Sequence, residues 1–349
     1  MIESMLQSPA QWLDGMGNDP EIVLSTQCRL VRNLTDFPFP RQCAPDEKKS
    51  IETNILGVMS SMNWLSGGQY YSLPEIDELE AQALSERKLI SSGLISAMGA
   101  RGVYVREDQS FSLSINDSDH LVLVGLGSGQ QLQEVWNQIS LADDTLAGIL
   151  DFAFDKKRGF LTSHLSDTGT GLKLSAVLHL PGMTMKNSIA HFLQLSDDGF
   201  QVTPEYLSGS SASGDLYRIS STGALGQAEM EMTYHFVQAI DALIMLEREA
   251  QKDFIEGKSV QLDDRIERAL GLARSARLLA FDEALGVLSS LRLGVTCGLL
   301  KGYALGTLNE IGIIAQNAHL QLSLADACDD NNCSMQRAHL FRERFAENP

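Results

Sequence analysis

The sequence predicts an α+β fold: a large antiparallel sheet flanked by helices, followed by a C-terminal all-α domain. Three observations predict it. Segments 102–108, 110–116 and 120–126 alternate apolar and polar residues and are separated by short turns, as in an antiparallel meander. Apolar residues at helical spacing recur over 45–65, 130–155 and 227–256. After Gly257 the strand signal stops, and Leu and Ala run through a nearly continuous helical pattern. The expected division is therefore 1–256 and 257–349.

Each element has its own reason. Residues 22–24 are apolar and read as a strand that runs into a polar loop from Arg29, and the proline pair in FPFPR keeps 37–41 extended. Asp46 is placed to cap the helix carrying Ile51, Ile55, Val58 and Met59. A second helix is expected over 75–92. LVGLGSGQQLQE (123–134) reads as a strand, a glycine turn and the start of the 130–155 helix. Segments 159–163 and 172–181 are strands around the loop HLSDTGTG, and 184–195 is helical. FQVTPEYL and GDLYRIS are strands around a short serine-rich loop. On the 227–256 helix, Phe236, Val237, Ile240, Leu243 and Ile244 form the face that should pack on the sheet. The last helix is expected at 334–347.

Composition narrows the function. Of 349 residues, 44% are hydrophobic and 21% charged, enough apolar surface for a substantial core. The net charge of −18 disfavours nucleic acid and anionic membranes as partners. No apolar run of about 18 residues suggests a membrane span. The N-terminal segment lacks a basic region followed by an apolar one, so no secretory signal is expected. Five scattered cysteines fit a reduced, cytoplasmic chain. The histidines lack ligand spacing, and no metal site is expected.

Some stretches carry chemistry. The G-x-G-x-G of 125–129 has Gln130 where a dinucleotide fingerprint needs glycine, and no P-loop lysine follows. It reads as a turn first and a phosphate loop second. HLSDTGTGLK (164–173) gathers His164, Asp167 and Lys173 and reads either as a phosphate site or as a polar turn. STQCRLVRN (25–33) places Ser25, Thr26, Gln27, Arg29 and Arg32 at a strand end, a natural anion seat offering a neutral Gln beside an Arg.

Three ordered stretches resemble the phosphagen (ATP:guanido) kinase superfamily, nearest to its bacterial protein-arginine kinase (McsB) branch. They are IVLSTQCRLVRNLTDFPFP, then NDSDHLVL with DFAFDKKRGFLTSHLSDTGTGLKLSAVLHLPGM, then GDLYRISSTGALGQAE. SSLRLGV, TLNEI, AHLQ and QRAHLFRERF resemble the same branch's helical domain. The resemblance implies a guanido-kinase fold and transfer of the ATP γ-phosphoryl group to a guanidinium nitrogen. Such transfer needs several arginines clamping about four negative charges, and carboxylates that hold the cationic acceptor and take its proton.

Matched position by position, that kit is depleted. Of the family's first two clamp arginines, one falls at Gln27 and one is kept as Arg29. The arginine after the DH dipeptide falls at Val122, the arginine after GTG at Lys173, and the remaining one at Thr203. The two acidic positions are Ser118 and Ser208, and the loop cysteine is His164. The adenine-side histidine falls at Lys88. The branch's phosphoarginine pocket, R-D-x-x-R-A, aligns with CSMQRA, where Arg337 and Ala338 fit and the leading Arg and Asp do not.

The expectation is a protein-arginine-kinase-like pseudokinase with a regulatory or adaptor role. ATP and Mg²⁺ are its cofactors if nucleotide binding survives, and none otherwise. Its partners would be proteins, such as an active kinase paralogue or a protease system, and it would form a homodimer. The alternative is an active phosphotransferase with a remodelled phosphate site of Arg29, Lys173, His164 and Asp167.

Overall fold

A computed structural model describes residues 2–60, 62, 67–186, 188–189, 199–208, 211–256, 260–323 and 330–346. Its elements in chain order are α1 (Ile2–Gln7), β1 (Val23–Arg32), α2 (Pro45–Ser60), β2 (Gly68–Ser72), α3 (Glu78–Glu86) and α4 (Ser92–Ser96). Strands β3 (Gly102–Arg106), β4 (Phe111–Ile115) and β5 (Leu121–Ser128) follow, then α5 (Leu132–Ala147) and the hairpin β6 (Phe154–Asp155) and β7 (Gly159–Phe160). Next come β8 (Leu172–His179), α6 (Pro181–Met185), β9 (Phe200–Pro204), the short pair β10 (Leu207–Ser208) and β11 (Ser211–Ala212), β12 (Leu216–Ser221) and α7 (Glu229–Glu256). The rest is helical: α8 (Val260–Ser275), α9 (Phe281–Thr296), α10 (Leu305–Ile314), α11 (Asn317–Leu322) and α12 (Asp330–Arg344).

Eight strands form one sheet in the order β2-β3-β4-β5-β1-β8-β12-β9. Every neighbouring pair in it is antiparallel. Strand β1 is central, not a short strand opening into a loop. Its ladder with β5 runs to Arg32, and β8 holds its other edge. A central strand tolerates this many polar residues because only one of its faces is apolar.

On that apolar face, α2, α5 and α7 pack over Cys28, Leu30, Leu123, Leu174, Ala176 and Ile219. Phe236, Ile240, Leu243 and Ile244 of α7 are buried there, and Val237 is partly buried. Full burial of each such side chain contributes roughly 1.5–3 kcal/mol. On the opposite face, α1, α3 and α4 cover the β3–β5 half through Leu84, Leu89, Leu94, Val103 and Val124. The β1-β8-β12-β9 half of that face carries the polar residues.

Other boundaries differ for local reasons. The helix expected over 75–92 breaks after Glu86, because Lys88 adopts a left-handed conformation (φ 61°) before α4 begins. The helix expected to reach 155 ends at Ala147, and the chain turns into the β6–β7 hairpin. Of the helix expected at 184–195, the described part is α6 and the remainder lies largely outside the described residues. The glycines of 125–129 are explained by packing. A Cβ on Gly125 would sit 2.7 Å from Val135, and one on Gly127 would sit 2.8 Å from the same side chain, so their absence lets α5 lie close on β5. The turn's amides are also occupied: Gly129 N–H donates to Leu24 and Gln130 N–H to Asn18. The turn therefore offers these donors to no phosphate.

Candidate active site

Strand register builds the site. Cα pairing sets Gln27 beside Ser175, Arg29 beside Lys173, Val31 beside Val122, and Arg218 between Val177 and Thr203. Side chains alternate along strands, so Ser25, Gln27, Arg29, Val122, Lys173 and Thr203 share one face. Thr26 does not join them. Its hydroxyl lies on the other face and donates to the Gly129 carbonyl at 3.2 Å. Arg32 also points away. It is 1% exposed, forms a two-pronged ion pair with Asp143 (2.9 and 2.6 Å) and lies over the Phe160 ring. Val122 is buried in the apolar cluster with Val31, Val124 and Leu94, so it supplies packing where the resemblance placed a phosphate contact.

The cations on this face are mostly neutralised from within. Arg29 donates Nη1 to Asp167 at 3.0 Å and Nη2 to the Ser118 hydroxyl at 3.0 Å. Lys88 Nζ reaches Glu205 at 2.9 Å. Arg218 clasps the same carboxylate with two bonds of 2.7 Å. Burial pushes the Glu205 carboxyl up, but Lys88 and Arg218 outweigh it and bring it down to about 2. Burial also pulls Lys88 below the usual lysine range, with Glu205 opposing. Gln27 Oε1 accepts from Ser175 at 3.1 Å and Arg218 at 3.4 Å. The Lys173 side chain is exposed and has no hydrogen-bond or ion-pair partner among the described residues.

Arg218 and Glu205 were not singled out from the sequence. Parity held the signal: Glu205 lies two residues beyond Thr203, and Arg218 stands opposite Thr203 on β12.

On the acceptor side, Ser118 and His164 line one cleft of about 610 Å³ with Asp117, Ser163, Cys43 and Lys48. Asp117 is buried, which pushes its carboxyl up, while bonds from Ser91 and the Ser118 amide oppose the shift. Asp119 is fully buried and holds the turn together, accepting from Asn33, the Ser163 amide and the Ser118 hydroxyl. Asp167 is committed to Arg29, and among the described residues no side-chain bond joins it to the exposed His164. Ser208 pairs through its backbone with Ser211, and its side chain lies outside the described residues.

Arg337 is buried within the C-terminal helices. It is 2% exposed and donates to the carbonyls of Ala315 (2.7 Å) and Leu279 (2.8 Å) and to Asn317 Oδ1 (2.6 Å). Its guanidinium ties α12 to the ends of neighbouring helices. Replacing it, as in Arg337→Met, is expected to cost about 3 kcal/mol by stranding buried carbonyls. Chemical denaturation followed by circular dichroism measures that loss.

Comparison with known proteins fits this architecture. The chain shares its fold with a lombricine kinase (TM-score 0.59, 19% identity, 71% of this chain and 75% of that one). It shares it also with the substrate-free duplicated taurocyamine kinase from Schistosoma mansoni (TM-score 0.57, 20% identity, 82% and 42%). These likenesses are of the fold, a large antiparallel sheet flanked by helices.

The profile of the ATP:guanido phosphotransferase C-terminal catalytic domain matches residues 50–250, and that of the protein-arginine kinase McsB C-terminal domain matches 259–349. The protein-arginine kinase of Symbiobacterium thermophilum is 34% identical over 99% of both chains, and that of Halothermothrix orenii is 32% identical over 96% of both. The chain belongs to the protein-arginine kinase-like family of ATP:guanido phosphotransferases. Among the described residues, no helix is long and apolar enough to cross a membrane.

Proposed function

We propose that this chain is a protein-arginine-kinase-like protein that has lost phosphoryl transfer and serves as a regulatory or adaptor subunit. One observation carries the reading. Four cations stand at the site face, and three are held by two carboxylates of the same chain: Arg29 by Asp167, and Lys88 and Arg218 by Glu205. Among the described residues, Lys173 is the one of the four without such a partner. A site meant for a triphosphate needs positive charge in excess and aimed at the ligand. Here most of it is already satisfied, and a nucleotide would have to displace short, charge-assisted bonds to claim it.

The matched acceptor carboxylate position offers the Ser118 hydroxyl, which is occupied by Arg29 and Asp119. A serine neither neutralises a guanidinium nor accepts its proton at neutral pH. The role left to the scaffold is recognition, with a protein partner such as an active paralogue or a protease system, and with its own second copy. The chain's family uses ATP with Mg²⁺, and any surviving contact would fall to Lys173 and Arg29.

Thermal melting with millimolar Mg-ATP tests the reading. The expected result is no saturable rise in midpoint that depends on Lys173 or Arg29. A rise abolished by Lys173→Ala would instead establish the remodelled phosphate site of Arg29, Lys173, His164 and Asp167.

A further inference from the structure

We propose that the cleft beside Ser118 binds an oxyanion, a carboxylate or phosphate group carried on a partner's side chain, and not a guanidinium. The cleft has a volume of about 610 Å³. Its walls come from the 40–48 segment leading into α2, the 93–99 turn around α4, and the turns at 117–118 and 163–164.

The charge around it is unusual for this chain. Arg41 lines the cleft, is exposed, and makes no hydrogen bond or ion pair among the described residues. Among the described residues, Lys48 Nζ meets the Met98 carbonyl, at 2.7 Å, and no other acceptor. Arg101 lies behind the same turn and donates to the carbonyls of Leu94, Ile95 and Gly99. None of the three has a carboxylate partner among the described residues, although the whole chain carries −18. At Arg29, Lys88 and Arg218 the same fold supplies such partners. Two cations on the cleft wall, with Arg101 behind it, all without a carboxylate partner among the described residues, therefore mark a place where the counter-charge comes from outside.

The acidic groups nearby are already engaged. Asp117 is 7% exposed, and its oxygens accept from the Ser91 hydroxyl at 2.9 and 2.8 Å and from the Ser118 amide. Glu47, on α2, accepts the Ala44 amide at 2.7 Å. The Cys43 thiol is pushed up by burial and stays neutral, with its Sγ 2.9 Å from the Pro38 carbonyl. Burial lowers the Lys48 ammonium below the usual lysine range, and Arg101 adds to the effect. A bound anion relieves that mutual repulsion, whereas a guanidinium would add to it.

This assignment goes beyond the loss of transfer and is tested separately from it. The full chain is melted with inorganic phosphate, acetate or free arginine at millimolar concentration. Phosphate, acetate or both should raise the midpoint saturably, and which of them acts tells phosphate from carboxylate recognition. Arg41→Ala should weaken the response at least tenfold, and Lys48→Met should do the same, while Arg268→Ala, an exposed change on α8, should leave it intact. Arg41 is exposed and unbonded, so its variant keeps the fold even if Lys48→Met does not. A response to arginine in place of the anions overturns the assignment. So does an absent anion response, or one that Arg41→Ala leaves unchanged. None of these outcomes depends on whether phosphoryl transfer is detected.

Discussion

Glu205→Gln should turn a poor anion site into a better one. The carboxylate of Glu205 holds both Arg218 and Lys88. The amide removes the negative charge while keeping nearly the same shape, so two cations gain freedom to meet a phosphate. A freed arginine making one charge-assisted pair adds about 1.4 kcal/mol or more, roughly tenfold in affinity. Titration calorimetry with Mg-ATP should show binding at least about tenfold tighter than the parent chain. Arg218→Ala in the same background should remove the gain.

The same substitution has a pH signature. The Glu205 carboxyl sits at about 2 in the fold against an ordinary 4.5. A lowered carboxyl means that the unfolded chain binds more protons across that interval. The stabilisation is therefore fully present above pH 4.5 and is lost as pH falls toward 2. Its size is on the order of 2–3 kcal/mol. Glu205→Gln should melt lower than the parent at neutral pH, and the difference should shrink on acidification below pH 4.5. A constant difference from pH 7 to pH 3 would contradict the ion-pair account.

The largest stability effect is expected at Asp143. Arg32 is 1% exposed, and Asp143 is its carboxylate partner. Burial pulls the Arg32 guanidinium down and pushes the Asp143 carboxyl up, and each charge opposes the shift of the other. Asp143→Ala strands a buried guanidinium between the Phe160 ring and the carbonyls of Val31 and Thr170. Breaking a buried pair from one side costs about 3–5 kcal/mol. Asp143→Asn, which keeps one acceptor oxygen, should lose distinctly less. Urea denaturation of the three proteins measures the order, and equal stability of all three would show that Arg32 is satisfied without its partner.

These residues show where the sequence is legible. The meander of β3, β4 and β5 was readable because alternation survives wherever a strand has two unlike faces. The long α7 was readable from Phe236, Ile240, Leu243 and Ile244 at helical spacing. β1 was harder: Gln27, Arg29 and Arg32 look like loop residues, yet they belong to a central strand whose polar half-face is the site. Parity then separates them, sending Arg29 to the site and Arg32 to a buried pair, and single-residue composition cannot show this. The break after Glu86 hinges on one left-handed residue, Lys88, whose type gives no warning.

The site divides in the same way. Motif order picks out Gln27, Arg29, Val122, Lys173 and Thr203 as one set, and the strand register puts them on one face. The neutralising carboxylates were not visible, because Asp167 and Glu205 lie 138 and 117 positions from the cations Arg29 and Lys88 that they hold. Arg337 matches part of a ligand-pocket motif, and in the fold it donates to the Ala315 and Leu279 carbonyls and to Asn317 Oδ1.

Phosphoryl transfer itself is the most direct measurement. Purified chain, Mg-ATP and an arginine-rich protein are incubated at neutral pH, and phosphoarginine is counted by mass spectrometry. Each lost transition-state donor costs roughly a hundredfold in rate, with strong non-additivity among them. The neutralised site predicts a rate at least roughly ten-thousandfold below ordinary kinase turnover. A turnover of about 1–100 s⁻¹, the usual range for kinases, would contradict it.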